Sequence, residues 1–340
     1  MGGNRLEACS TGADMIRVGV VGLGRFGRLH ALTLARLGEA QLAALVARRA
    51  ESLANVQAEL PGVPGWTSLD EAIAESDAQA WVVACSTSQH ADVARKLLAA
   101  GKTVLLEKPI SESLAEAESL RPLVRDDSSN LMLGHIVLFN SEFRALRAEA
   151  ARRGTPSYID CVRHRPATIV HDFPGENPLH AAMVHDLYLV QALMGGAEPE
   201  GFTAQYHRTP DGAIDLAVAQ LRWPAPRGTV ASIAASYLAP AGMPPRGFDR
   251  LELFGEGWAA RMEPNPRPLT VYDDRARWPL ALEILADSSG VAGMMAEELR
   301  CFCRVAAGIE PVAAGASYFD GLQVQRWMER LARSADEHHR

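Results

Sequence analysis

The chain has 340 residues, 48% of them hydrophobic and 22% charged, which is enough for two domains with sizeable cores. A net charge of −7 argues against a non-specific nucleic-acid binder. No apolar run is long enough for a membrane span, residues 1–14 lack the apolar core of a secretory signal, and five cysteines without metal spacing or a disulfide framework point to a reduced, cytoplasmic protein.

Residues 1–14 read as a disordered tail. From there to about Ile136 the pattern alternates strand and helix. Strands are predicted at Ile16–Val21, Leu42–Val46, Ala80–Cys85, Thr103–Leu106 and Leu131–Leu133. Helices are predicted at Phe26–Leu37, Ser52–Leu60, Leu69–Glu75 (with Ser68 and Glu71 as a capping box), Ala91–Ala100 and Glu112–Val124. Such alternation implies parallel β-α units with right-handed crossovers, a doubly wound α/β sheet.

From residue 137 the rhythm changes. A helix at Ser141–Arg152 is followed by strand-like runs at Ser157–His164, Gly201–His207, Ile214–Arg222, Thr229–Tyr237, Arg250–Phe254, Trp258–Met262 and Leu269–Tyr272. One helix, about Ala181–Met194, interrupts them, and two more close the chain at Val291–Ala307 and Tyr318–Arg333. Alternation and short turns favour antiparallel pairing, so residues 137–340 are expected to form an α+β domain with a large open sheet. A sheet face left uncovered by helices would meet solvent or another subunit, which predicts a homodimer or homotetramer.

Three stretches carry chemistry. The first strand ends in Gly22-Leu23-Gly24-Arg25-Phe26-Gly27, and a helix follows. Gly22 permits a tight turn, Gly24 lets backbone approach a pyrophosphate, and Gly27 lets helix pack on strand. The helix start then aims free N–H groups at phosphate. At the end of the second strand, an acidic residue would accept from an adenosine 2′-hydroxyl; this chain has Arg48-Arg49, which suits a 2′-phosphate and favours NADP(H) over NAD(H). The second stretch, Glu107-Lys108-Pro109, places a lysine just past the carboxyl end of a parallel strand, where open α/β sheets bind ligands. In the third, Met183, Leu187, Val190 and Met194 form a core stripe, leaving Ala181, His185 and Tyr188 on another face. The segment Arg163–Asp172 is basic and suits either a substrate anion or a solvated loop.

Together these stretches resemble the glucose–fructose oxidoreductase / inositol dehydrogenase / rhizopine-catabolism (Gfo/Idh/MocA) family over nearly the whole chain. The resemblance implies hydride transfer between a nicotinamide and a hydroxyl carbon of a sugar, cyclitol or related polyol. His185 would be the acid/base, and Lys108 would hold the reacting oxygen. His180, Asp186, His135 and Arg163 are candidate substrate-binding residues. Ser86, Thr87, His90 and Glu107 join Gly22, Gly24, Arg25, Phe26, Gly27, Arg48, Arg49 and Lys108 as candidate cofactor contacts. No metal is expected. In the family motif the Lys–Pro bond is often cis. The ending Ser317–Ala335 looks like a closing helix that packs back on the nucleotide domain. Ala181 stands where many family dehydrogenases have an aspartate that touches substrate or orients the histidine. That departure keeps open a non-catalytic dinucleotide sensor; a third reading, an NAD-dependent glycoside hydrolase as in some relatives, is opposed by the Arg48-Arg49 pair.

Overall fold

The computed structural model describes residues 15–173, 175–226, 228–243, 247–265 and 291–337, and the backbone alone of 271–272, 276–277, 285–287 and 290. The expected tail 1–14 and residues 269–270 of the seventh expected strand lie outside the described residues.

The first domain contains β1 (Ile16–Val21), α1 (Arg25–Leu34), β2 (Ala40–Val46), α2 (Ala50–Glu59), β3 (Gly65–Trp66), α3 (Leu69–Glu75), β4 (Ala80–Val83), α4 (Thr87–Ala99), β5 (Thr103–Glu107), α5 (Leu114–Glu118) and β6 (Leu131–Gly134). The strands pair in parallel in the order β3-β2-β1-β4-β5-β6, the doubly wound dinucleotide-binding arrangement. Helices cover both faces, so the central strands are buried almost throughout, which is why they read as unbroken apolar runs. Gly19 lies opposite Trp81 in the sheet, and a Cβ there would come within 2.5 Å of the fully buried indole. Ser68 caps α3 by accepting from the Glu71 N–H. The helix expected over Glu112–Val124 is cut short: α5 ends at Glu118, and a single 3-10 turn follows at Arg121–Leu123. Pro122 lacks the N–H that would continue the α-helical ladder.

The second domain contains α6 (Ser141–Arg153), β7 (Tyr158–Pro166), α7 (Ile169–Asp172), a π-helical turn at Leu179–Met183, α8 (Val184–Leu193), β8 (Gly201–Arg208), β9 (Ile214–Arg222), β10 (Val230–Ala239), β11 (Phe248–Gly255), β12 (Trp258–Asn265), α9 (Met294–Ala306) and α10 (Tyr318–Glu337). Among the described residues six of its strands form one sheet in the order β12-β11-β7-β10-β9-β8, antiparallel except for the parallel β7–β10 pair. One sheet face is buried against helices. On the other, Tyr158, Val218 and Phe254 are exposed. The helix α10 also meets the first domain: the Tyr318 N–H donates to Ser128 Oγ (2.9 Å), and its hydroxyl donates to the Ala117 carbonyl (2.8 Å). Among the described residues no helix is long and apolar enough to cross a membrane.

Candidate active site

The glycine turn between β1 and α1 forms one wall of a cleft of about 600 Å³. Gly22 has φ +90°, and a Cβ there would lie 2.4 Å from the Cys85 main-chain N. A Cβ on Gly27 would lie 1.7 Å from the Gly22 carbonyl oxygen, so any side chain would push the helix off the turn. Gly24 faces open space, and as the N-cap of α1 it has no side-chain capping bond. The leading N–H groups of α1, from Arg25, Phe26 and Gly27, therefore have no intrahelical partner and suit an anion. Arg48, Arg49 and Ser86 line the same cleft. Both arginines are exposed, and among the described residues no carboxylate pairs with either. The donor set fits the phosphates of a dinucleotide.

At the carboxyl end of β5 the three motif residues diverge. Glu107 turns into the protein, where its carboxylate accepts from His30 Nε2 at 2.8 Å. The Glu298 carboxyl of α9 joins them, bringing the three ligand-type atoms within 4.8 Å of one another. Glu298 is fully buried; among the described residues its oxygens meet no side-chain donor, and the His135 main-chain N–H lies beside them. Burial, with the Glu107 charge beside it, pushes its carboxyl well above the usual carboxylate range. Glu107 was expected at the cofactor; its carboxylate is engaged inside the domain instead. His30 and Glu298 were missed by sequence reasoning. Their only signal is a buried polar side chain on each helix, His30 with Thr33 on α1 and Glu298 on α9.

Lys108 lines a second cleft of about 570 Å³, with Thr87, Glu176, Asn177, His180 and Ala181. Since Ser86 borders the first cleft and Thr87 the second, the two meet at the start of α4. The Lys108–Pro109 bond is cis. Burial lowers the Lys108 proton affinity below that of an ordinary lysine, against the pull of Glu107 and Glu176. His90 is buried, with ring nitrogens 2.8 Å from the Pro109 carbonyl oxygen and 3.1 Å from that of Cys85. It ties the loop after β5 to the loop after β4 and was expected to contact cofactor directly.

His185 stands on the first turn of α8. Its Nδ1 is 3.1 Å from Nε2 of His135, which is 1% exposed and stacks on Tyr188 with ring centroids 4.3 Å apart. Burial first, then the charges of Lys108 and Arg163, push His185 well below the usual histidine range, leaving a neutral base. Asp186 points elsewhere. Its carboxylate accepts two hydrogen bonds from Arg163, at 2.9 and 2.8 Å, so these two candidate substrate contacts are engaged with each other. His180 is exposed on the cleft wall.

A doubly wound sheet with an open phosphate cradle, joined to a second domain whose helix brings a histidine into the field of a half-buried lysine, defines a dinucleotide-binding oxidoreductase of the dehydrogenase type. The chain belongs to the Gfo/Idh/MocA family of oxidoreductases. The model of an oxidoreductase family with an NAD-binding Rossmann fold matches residues 16–135. UDP-N-acetylglucosamine 3-dehydrogenase of Acidithiobacillus ferrooxidans is 34% identical over 65% of this chain and 67% of its own length. Inositol 2-dehydrogenase of Rhizobium meliloti is 26% identical over 75% of this chain and 78% of its own. A crystal structure of the Acidithiobacillus enzyme superposes with a TM-score of 0.76 at 28% identity, covering 95% of this chain and 99% of that one. A probable dehydrogenase from Thermotoga maritima gives 0.77 at 25%, covering 95% and 97%.

Proposed function

We propose that this protein is an NADP(H)-preferring dehydrogenase that moves a hydride between the nicotinamide and a hydroxyl-bearing carbon of a sugar, cyclitol or related polyol. The observation that carries the reading is the approach of Lys108 and His185 at the end of β5, beside the phosphate cradle. Lys108 is lowered by burial, and its charge in turn lowers the proton affinity of His185.

The turn Gly22–Gly27, the α1 N–H groups and Ser86 would hold the dinucleotide, and Arg48 and Arg49 would clamp a 2′-phosphate. When bound, the nicotinamide supplies the hydride acceptor or donor. In oxidation, Lys108 donates to the reacting oxygen and stabilises negative charge on it. His185 takes the hydroxyl proton at Nε2, and in reduction it returns that proton. Asn177 and His180 sit on the cleft wall, where they would meet substrate hydroxyls. The exposed outer face of the second sheet is the surface through which a homodimer or homotetramer would form, and light scattering reads that directly.

The test is separate titration with NADPH and NADH, followed by tryptophan fluorescence, since Trp66 adjoins the cleft residue Thr67. A polyol and sugar screen with the tighter cofactor then follows. Tighter NADPH binding and turnover of a polyol are expected. Tight NADPH binding with no turnover of any polyol would favour the sensor reading, and an NAD retained through purification would favour the glycosidase reading.

A further inference from the structure

The residue one helical turn before His185 is Ala181, which offers only a methyl group to a catalytic histidine. The neighbouring carboxylate, Asp186, is committed to Arg163. Among the described residues, the group that meets the His185 ring through a hydrogen bond comes from the other domain. In the sheet, Glu107 of β5 pairs with Gly134 of β6, so the next residues, Lys108 and His135, leave the carboxyl edge side by side. One faces the substrate cleft. The other is buried, its Nε2 on His185 Nδ1 at 3.1 Å, its ring stacked on Tyr188 at 24° between planes.

We propose that His135 is a positioning residue for the reaction, holding His185 in the tautomer whose Nε2 is free to take the substrate proton. The proposal rests on the dehydrogenase reading above. A neutral imidazole carries one proton. If His185 is to accept at Nε2, that proton is on Nδ1, and an Nδ1–H needs an acceptor at the distance where His135 Nε2 lies; His135 then carries its own proton on Nδ1, a buried atom without a hydrogen-bond partner among the described residues. In oxidation, the substrate O–H bond breaks and its proton bonds to His185 Nε2. The C–H electron pair leaves with the hydride, for which a bound nicotinamide would be the acceptor, the oxygen's freed electron pair forms the C=O bond, and the Nδ1 proton stays on His185, donating to His135. That bond is charge-assisted once His185 is an imidazolium, so it strengthens as the reaction proceeds. The charged and titratable groups around the pair are Lys108 from β5, Arg163 and Arg165 from β7, and the Glu298 carboxyl of α9 beside the His135 main-chain N–H. The lysine and arginines disfavour an imidazolium, and an acceptor at Nδ1 offsets them.

Two substitutions test this. His135→Phe keeps a ring against Tyr188 without an acceptor, and His135→Gln returns one. For His135→Phe, kcat should fall about 100-fold with little change in KM or in NADPH affinity. The low-pH inflection of kcat/KM for oxidation should move to lower pH, because the imidazolium has lost its acceptor. His135→Gln should recover kcat to within about tenfold of wild type and restore the inflection. Wild-type kcat and pH profile in His135→Phe, or equal losses in both variants with the inflection unmoved, would overturn the proposal. Imidazole 15N NMR decides the point without turnover: His185 should carry its proton on Nδ1 in the wild type. A wild-type Nε2–H tautomer would overturn the proposal, whereas absence of polyol oxidation alongside the Nδ1–H tautomer would count against the dehydrogenase reading alone.

Discussion

Arg163 and Asp186 form a two-point ion pair in the interior, Nε and Nη2 donating to the two carboxylate oxygens at 2.9 and 2.8 Å, with side chains 6% and 3% exposed. Arg163 Nη1 donates also to Asp249 at 2.9 Å. The pair fastens the first turn of α8, and so His185, to β7. Breaking a buried pair costs more than the pair itself contributes, because a charge is left uncompensated. Asp186→Asn should therefore lower unfolding free energy by about 3 kcal/mol, Asp249 still holding part of the Arg163 charge. Urea denaturation checks this. Unchanged stability with a large rise in KM would instead make Asp186 a substrate ligand.

Arg48 and Arg49 have exposed guanidinium groups on the wall of the phosphate cleft. Hydrogen bonds to a charged group contribute about 1.5–3 kcal/mol. The double variant Arg48→Ala/Arg49→Ala should then weaken NADPH binding by about 10- to 100-fold and leave NADH binding nearly unchanged. Equal weakening of both, in fluorescence titrations, would rule out a 2′-phosphate clamp.

Lys108 is held below the ordinary lysine range by burial. In the proposed reaction its charged form would stabilise a developing alkoxide, so kcat should show an alkaline loss at a pH below that of a free lysine. Lys108→Arg should shift that limb upward, since guanidinium does not titrate there. Lys108→Met should cut kcat by about 100- to 1,000-fold while cofactor titrations remain close to wild type. A Lys108→Met enzyme of normal kcat would remove the lysine from the chemistry.

Glu298 keeps its proton in the folded state far above the pH at which the unfolded chain releases it. Its folded value is raised, so its contribution to stability is fully present below the unfolded value and is lost as pH rises toward the folded one. The slope for one such proton is about 1.4 kcal/mol per pH unit. Glu298→Gln, neutral and of the same shape, should gain on wild type between pH 5 and pH 8 in denaturant titrations. Parallel curves across that range would mean that Glu298 is ionised when folded.

Much of the nucleotide half is legible locally. A strand, a glycine turn and a helix are contiguous, and the steric demands at Gly22 and Gly27 are set by atoms of the same turn and the adjoining β4 loop. Strand alternation likewise foretold the second sheet, but not that β7 and β10 run parallel, because pairing partners lie some 70 residues apart. Helix α5 is shorter than its periodicity suggests because Pro122 outweighs the apolar pattern.

By itself the sequence determined which residue types sit at the ends of β1, β2, β5 and β6, since those positions follow from short-range periodicity and turn chemistry. Only the tertiary structure decided what each polar group does there. Glu107 meets His30 across 77 residues, His135 meets His185 across 50, and Asp186 meets Arg163 across 23. A buried polar group is committed by whichever donor or acceptor the packing brings within about 3 Å, and no local pattern encodes that distance.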